Sequence, residues 1–497
     1  MARITQYRTQ VDVQAWTPEG VHYHQALMGD LKTIQTSKTT TQPYGTFTLT
    51  FTMREDAGGS WADKLPYRTY VEIRAGVGSG TPPILMRGFV DAPGQSMSMP
   101  GYPAGPQREV TISGRDMGAI LNDWQVLYLW GLDPESTYFA ANLPSGGNAL
   151  AVQLGVSARE DSPTRLLTAF ITELVNDGAH GKGAVVGIRQ QIPQVPYFVP
   201  QIRIPDQYRV NFLSLQPWQG SYSNFLDYFA SPPWGEDFVF DAPEGPQIIV
   251  RQTPYKAYDT GQYPLPFGGT PTENGFFSDV TMAAGDITAH DLTLNGGLQD
   301  YVYFSVTPDL ASSLAQSYAM FFYVYQGQTP QRLSASQAHA LQKQGRTVYS
   351  APAGTTSAGV LEQVSPAQAQ RAGSNPYFDA QHAKLWGIQD LQLTTPWVST
   401  LKQTFDTNAQ EIVAKMCTWL ASVYQGNPRF ASGTLTVHGH EQYTVGRYVV
   451  VEPGAITSDP QPWEAYIQSI DSQIDIASNN ATWTMDLGVI RGRVRTG

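Results

Sequence analysis

Thr46–Met53 reads TFTLTFTM. Phe47, Leu49, Phe51 and Met53 alternate with Thr46, Thr48, Thr50 and Thr52. That is period two, the pattern of a strand with one buried and one wet face. The same reading extends outward to VDVQAW (Val11–Trp16), YVEIRA (Tyr70–Ala75), ILMRGFV (Ile84–Val90) and EVTIS (Glu109–Ser113). GVGSGTPP and PGYPAGP separate the later strands, and GVGSG (Gly76–Gly80) is most simply a turn. Short strands at such close spacing predict a barrel or sandwich.

The period changes in SGRDMGAILNDWQVLYLWG. Asp116 is expected to cap a helix starting near Met117, with Ile120, Leu121, Trp124, Leu127 and Tyr128 on one face. Further along, Ser162-Pro163 opens a helix striped by Leu166, Leu167, Phe170, Ile171, Leu174 and Val175, with Gly178 as its stop. YSNFLDYFA (Tyr222–Ala230) predicts a short helix. FVFDAPEGPQIIVRQTPY (Phe238–Tyr255) predicts a hairpin ended by Pro254, which cannot donate to a ladder. Ser334 to Gln337 has capping-box spacing with Gly345 closing that helix, and Ser365-Pro366 opens another. Thr407 to Gln410 is a further capping box. Ile412, Val413, Met416, Leu420 and Val423 make the helical stripe, which Gly426 and Pro428 end. SGTLTVHG, GRYVVV, WEAYIQSID and ATWTMDLGVI then read as strands. Four regions are expected: 1–120, an N-terminal β-barrel; 121–275, α+β; 276–400, a mixed connection with an Ala/Gln/Ser-rich insertion; and 401–497, a helix plus a C-terminal β-barrel.

Composition agrees with a mainly β fold carrying α+β insertions. Of 497 residues, 41% are apolar and 15% charged, against a usual charged share of roughly 25%. The 46 Gly and 35 Pro are turn and strand-end residues, and there are 26 Tyr, 20 Phe and 11 Trp. So little charge points to a surface partly covered by other subunits, because interface cores are depleted in charged residues. The net charge of −11 and the absence of a Lys/Arg block argue against non-specific nucleic-acid binding. A lone cysteine, Cys417, forms no internal disulfide and points to a reducing compartment such as a bacterial cytoplasm. The start MARITQYRTQVDV lacks the apolar stretch of a signal peptide, and no apolar run reaches the roughly 20 residues of a membrane helix.

Three segments in this order resemble the tailed-bacteriophage baseplate hub family, the late control protein D and type VI spike hub-like proteins. They are RGFVDAP (Arg87–Pro93) leading to REVTISGRDMGAIL (Arg108–Leu121); FVFDAPEGPQIIVRQTPY followed by DITAHDLTLNGGLQDYVYFSV; and NAQEIVAKMCTWLASVYQGNPRFASGTLTVHGHEQYTVGRYVVV with AYIQSIDSQIDIASNNATWTMDLGVIRG. Residues 310–400 depart from the pattern. The resemblance implies two β-barrel hub domains per chain plus mixed α/β accessory domains. It also implies a homotrimer whose six barrels ring a lumen. Such a ring would meet the tail tube or distal tube protein on one side and the central spike protein on the other, in the virion, near the tape measure protein. Genome DNA would pass through without specific binding, and no membrane anchor, cofactor or chemical step is implied.

Candidate sites read mostly as structural. His22 with His24, and His438 with His440, each lie two apart on a strand and share a face; zinc needs three or four ligands, so both pairs are read as ordinary strand histidines. Cys417 is read as a small buried hydrophobe. Glu55-Asp56 and Glu160-Asp161 are read as solvated turn carboxylates. Gly114, Arg115 and Asp116 are read as strand end plus helix cap. Arg251, Thr253 and Pro254 are read as strand termination. Arg491, Arg493 and Arg495 are read as a solvated final strand or tail. No P-loop, H-E-x-x-H or G-x-S-x-G motif is present, so catalytic, cofactor and metal residues are expected to be absent. A receptor- or polysaccharide-binding tail protein and a hub-associated peptidoglycan hydrolase are the alternative classes.

Overall fold

The computed structural model describes residues 9–52, 59–78, 80–98, 107–127, 160–177, 183–204, 210–211, 219–230, 234–257, 279–294, 303–308, 320–326, 329–333, 349–352, 390–395, 407–424, 430–477 and 480–495. The expected helices at Ser334–Gly345 and Ser365-Pro366, the Glu55-Asp56 pair and the stop at Gly178 lie outside them.

The chain is mainly β, with a 13-stranded sheet and several helices. Besides the two-residue strand His22–Tyr23, which pairs with the first strand, the N-terminal strands are β1 (Thr9–Trp16), β2 (Leu31–Thr39), β3 (Thr46–Thr52), β4 (Tyr70–Val77), β5 (Ile84–Ser98) and β6 (Gln107–Asp116). A hairpin in the middle of the chain is preceded by β7 (Val199–Arg203) and consists of β8 (Gly235–Ala242) and β9 (Gly245–Gln252). Six more follow: β10 (Val280–Met282), β11 (Ile287–Leu294), β12 (Ala431–His438), β13 (Tyr448–Val451), β14 (Trp463–Ala477) and β15 (Asn480–Val494).

The pairings β14–β2–β3–β6–β5–β4–β1–β15 return to β14, so eight strands close on themselves. The β1–β15 rung is the single pair Thr9↔Ala481. The short helix Gln25–Asp30 sits beside this thin seam, and Met28 Sδ accepts from Val13 N at 3.2 Å. The second group runs β10–β13–β14–β15–β12–β11 and stays open between its ends. β14 and β15, fifteen residues each, belong to both groups. Ser469–Asp475 of β14 pairs with β2, while Trp463–Tyr466 pairs with β13. One long hairpin therefore welds the closed barrel to the open six-stranded sheet, and their inner faces form one apolar cluster holding Val13, Ile34, Phe51, Leu435, Ile467 and Leu487.

Three helices build a second core outside the barrels. α1 (Pro163–Phe170) starts as expected, with Ser162 Oγ accepting from Arg165 N at 3.3 Å, and runs on as a π-turn through Ile171–Asn176. Its six stripe residues are all buried with α2 (Tyr222–Ala230) and α3 (Thr407–Tyr424). Cys417 is buried in α3, as expected. The hairpin β8–β9 lies between the two cores: Phe238 and Ile249 enter the barrel core, Val239, Ile248 and Val250 the helical one. That is why its sequence shows continuous apolar runs, FVF and IIV, instead of clean alternation.

The expected helix over Met117–Tyr128 is much shorter. Ala119–Asp123 is helical and Gln125–Leu127 is a strand paired with Gln219–Ser221. Trp124 and Leu127 matched helical spacing, but the ladder at that point satisfies the backbone better. Glu160–Asp161 is a two-residue strand against Val210–Asn211, not a turn.

Candidate functional site

With no chemical motif in the sequence, the candidate site is where this sheet protein does something expensive: it buries charge. Unpaired buried ions cost several kcal/mol each, so buried ions mark positions whose geometry is fixed. The β8–β9 hairpin carries such groups at both ends, each aimed at one barrel.

At its turn the hairpin meets the closed barrel. Lys38 Nζ on β2 lies 3.0 Å from Asp116 Oδ2 at the end of β6 and 3.1 Å from Asp241 Oδ2 on β8. Arg87 on β5 donates to Ala242 O at 2.7 Å and Pro243 O at 3.3 Å. Burial works to lower the Lys38 pKa, but Asp241 and Asp116 outweigh it and hold it above its usual value. Burial raises Asp116, and the Lys38 ammonium opposes that shift. The expected cap role of Asp116 is thus minor: its Oδ1 accepts from Gly118 N at 2.8 Å, while Oδ2 faces the ammonium. Gly114 permits close approach, since a Cβ there would lie 2.2 Å from Phe89 O. Arg115 is held by Asp91 at 2.6 Å and Asp123 at 2.8 Å, which keep it charged.

At its open end the hairpin meets the open second sheet. Arg251 on β9 is the largest of the fully buried side chains, 1% exposed. It donates to Glu236 Oε1 at 2.7 Å, Gly446 O at 2.6 Å and the Tyr466 hydroxyl oxygen at 3.4 Å. The Tyr466 hydroxyl donates to Glu236 Oε2 at 2.6 Å. Burial, then the Glu236 carboxylate, push that phenol well above its usual pKa, so it stays a donor. Gly446 takes a left-handed φ of +81°, and a Cβ there would sit 2.8 Å from Arg251 Nη2. Just beyond, Glu464 on β14 is fully buried and accepts from Lys256 Nζ at 2.9 Å and from Arg493 Nε and Nη2 at 2.9 and 2.8 Å. Lys256 Nζ also reaches Asp279 at 2.7 Å, and Arg493 Nη1 donates to Ala257 O at 2.9 Å. Arg491 donates to Val423 O in α3 and stacks on Phe430, Tyr255 and Tyr424, with its guanidinium carbon 4.5, 4.6 and 5.2 Å from the ring centres.

Two sequence expectations are therefore corrected. Arg491 and Arg493 are not a solvated tail: the helical core and the hairpin cover the outer face of β15, and only Arg495 remains half-exposed. Arg251 is not mainly a strand terminator but the centre of a buried ion pair. Period two places Glu464 and Arg493 on the outward face, and Glu464 is directly opposite Arg493 in the ladder. An opposite-charge rung in so weakly charged a chain was the available signal; what covers it was not in the sequence.

The rings of His22 and His24 stack with their centres 6.3 Å apart. His438 ends β12, and His440 lies beyond it with Nδ1 accepting from Gln442 N at 3.2 Å. His22 stacks on Trp16, and His24 Nε2 is 2.5 Å from Asp12. Among the described residues no three potential ligands gather. A cavity of about 280 Å³ lies beside Arg115 and Trp124, and one of about 180 Å³ borders the hairpin turn at Lys38, Asp241 and Glu441. No helix among the described residues is long and apolar enough to cross a membrane.

The residues define a mainly β protein in which a closed barrel and an open sheet share one long hairpin, locked by buried charge. No protein-family profile and no curated protein matches the chain. Among solved structures it is similar to the 43 kDa tail protein of prophage MuSo2 from Shewanella oneidensis, at 11% identity over 97% of each chain and a TM-score of 0.40. It is similar to a tail protein from Neisseria meningitidis MC58, at 11% identity over 98% of this chain and 97% of that one, TM-score 0.38. An Escherichia coli component of the type VI secretion system matches at 8% identity over 94% and 76%, TM-score 0.35.

Proposed function

We propose that this chain is a structural subunit of a phage tail baseplate hub, three copies of which form a ring between a sixfold tail tube and a threefold central spike. The observation that carries the reading is the closed barrel and the open sheet welded by β14–β15 and pinned by the β8–β9 hairpin, which we read as a two-barrel unit. A rigid two-barrel unit repeated three times presents six similar lobes to one neighbour and three subunits to the other. That resolves a symmetry mismatch with one closed interface type. The three sequence segments that resemble the hub family supply parts of this same unit. The net charge of −11 suits a lumen that repels DNA. The tube, spike and tape measure proteins are the proposed neighbours, and the hub acts without a chemical step.

Light scattering and negative-stain averaging of the purified chain test this. The expected result is a particle of three 54.5 kDa subunits with six lobes around a central hole. A ring-free monomer that binds glycans or clears peptidoglycan would overturn it.

A further inference from the structure

β11 is the one end strand of the sheet long enough to template another chain. It pairs with β12 along one edge, and among the described residues no strand pairs with the other. Thr288 to Asp291 are exposed in succession, so both faces of the strand meet solvent. Leu294, at 72% exposure, is the most exposed large apolar side chain among the described residues. The devices that normally blunt a free edge are Pro, Lys or a covering element. ITAHDLTL contains neither Pro nor Lys, whereas the thin seam of the closed barrel has the helix Gln25–Asp30 beside it.

The sequence of this strand also says what fits it. About its centre it is a palindrome of residue classes: His290 with Asp291, Ala289 with Leu292, Thr288 with Thr293, Ile287 with Leu294. Two such strands laid antiparallel about a two-fold axis place each residue opposite its mate. His290 then faces Asp291 of the second copy, and the same pair recurs across the axis. An imidazole N–H facing a carboxylate, matched Thr and apolar pairs are cross-strand combinations that stabilise a ladder. A bulge at Thr288 interrupts the regular register, so the four central rungs, 289–292, are the firmest. Neither His290 nor Asp291 makes an ion pair among the described residues.

We propose that β11 is a self-complementary docking edge through which two copies of this chain pair antiparallel, continuing the sheet of the second barrel from one molecule into the other. The contact is isologous, residue i to j and j to i. A threefold ring contains no such axis, so this contact is separate from the ring and links free subunits or two assemblies. Eight residues a side is far below a standard interface of roughly 1,600 Å², so the pairing is weak and concentration-dependent.

Sedimentation velocity over a concentration series is the test, on the full chain, with Asp291→Lys and the charge-swapped double variant His290→Asp/Asp291→His. The positions are exposed, and far-UV circular dichroism verifies folding. The expected wild-type result is a two-fold step in mass at high concentration. Asp291→Lys removes the carboxylate acceptor facing His290 in both rungs and puts an ammonium there instead, and should weaken that step by roughly tenfold; the swap should restore it. As a second readout, subunits carrying His290→Cys mixed with subunits carrying Asp291→Cys should form a disulfide that neither gives alone. A wild type with no two-fold step, or a step that Asp291→Lys leaves unchanged, overturns the proposal. A threefold particle indifferent to Asp291→Lys would overturn this edge while supporting the ring.

Discussion

Replacing Glu464 by Ala tests whether the buried charges of the joint compensate one another. Glu464 is fully buried and is the shared acceptor for Lys256 and Arg493, whose side chains are 4% and 6% exposed. Removing it leaves two buried cations facing one remaining carboxylate, Asp279, 27% exposed. Breaking a buried ion pair from one side costs about 3–5 kcal/mol, because the partner keeps its desolvation penalty. Asp279 still screens Lys256, so the lower end, about 3 kcal/mol, is expected. Asp279→Asn, at a partly wet position, should cost under about 1 kcal/mol. Urea unfolding followed by tryptophan fluorescence and by far-UV circular dichroism reads both variants. Trp463, buried beside Glu464, reports the joint itself. A Glu464→Ala protein within about 1 kcal/mol of wild type, or an Asp279→Asn protein equally destabilised, would refute the reasoning.

Two further outcomes follow from the same joint. Gly446→Ala forces a side chain into a left-handed backbone and against Phe238 Cζ, 2.7 Å from the new Cβ; the expected loss is about 2–4 kcal/mol, read by the urea midpoint. Asp237 is buried, and burial followed by repulsion from Asp227 raises its pKa well above the ordinary 3.8. The group's contribution to stability is full below 3.8 and is lost as pH rises through the folded value. Asp237→Asn should therefore be more stable than wild type at neutral pH and gain nothing in strong acid; a midpoint series across pH checks it, and equal curves would exclude the raised carboxyl.

Much of the fold was legible because its signals are local. TFTLTFTM alternates because one face of β3 is buried and the other meets water. α1 starts where Ser162 can accept from Arg165 N and Pro163 has no donor to lose. The hairpin was visible from its Pro/Gly turn. Failures fell where two local solutions compete or where covering elements are distant. Trp124 and Leu127 satisfy helical spacing and strand pairing alike, and a ladder with Gln219–Ser221 decided between them. Arg491 and Arg493 look solvated by position near the chain end, yet α3 and the residues after β9 cover them.

The sequence alone determined a mainly β chain with helices at 163, 222 and 407, and it carried the resemblance to the hub family. Glu464 and Arg493 alternate with apolar neighbours in their strands, so period two puts them on the outward face. That alternation did not say that outward would mean buried. Lys256 reaches Glu464 across 208 residues and Arg251 reaches Tyr466 across 215. Only the tertiary structure decides such meetings, because the cost of burying a charge depends on which partners the fold brings within hydrogen-bond reach.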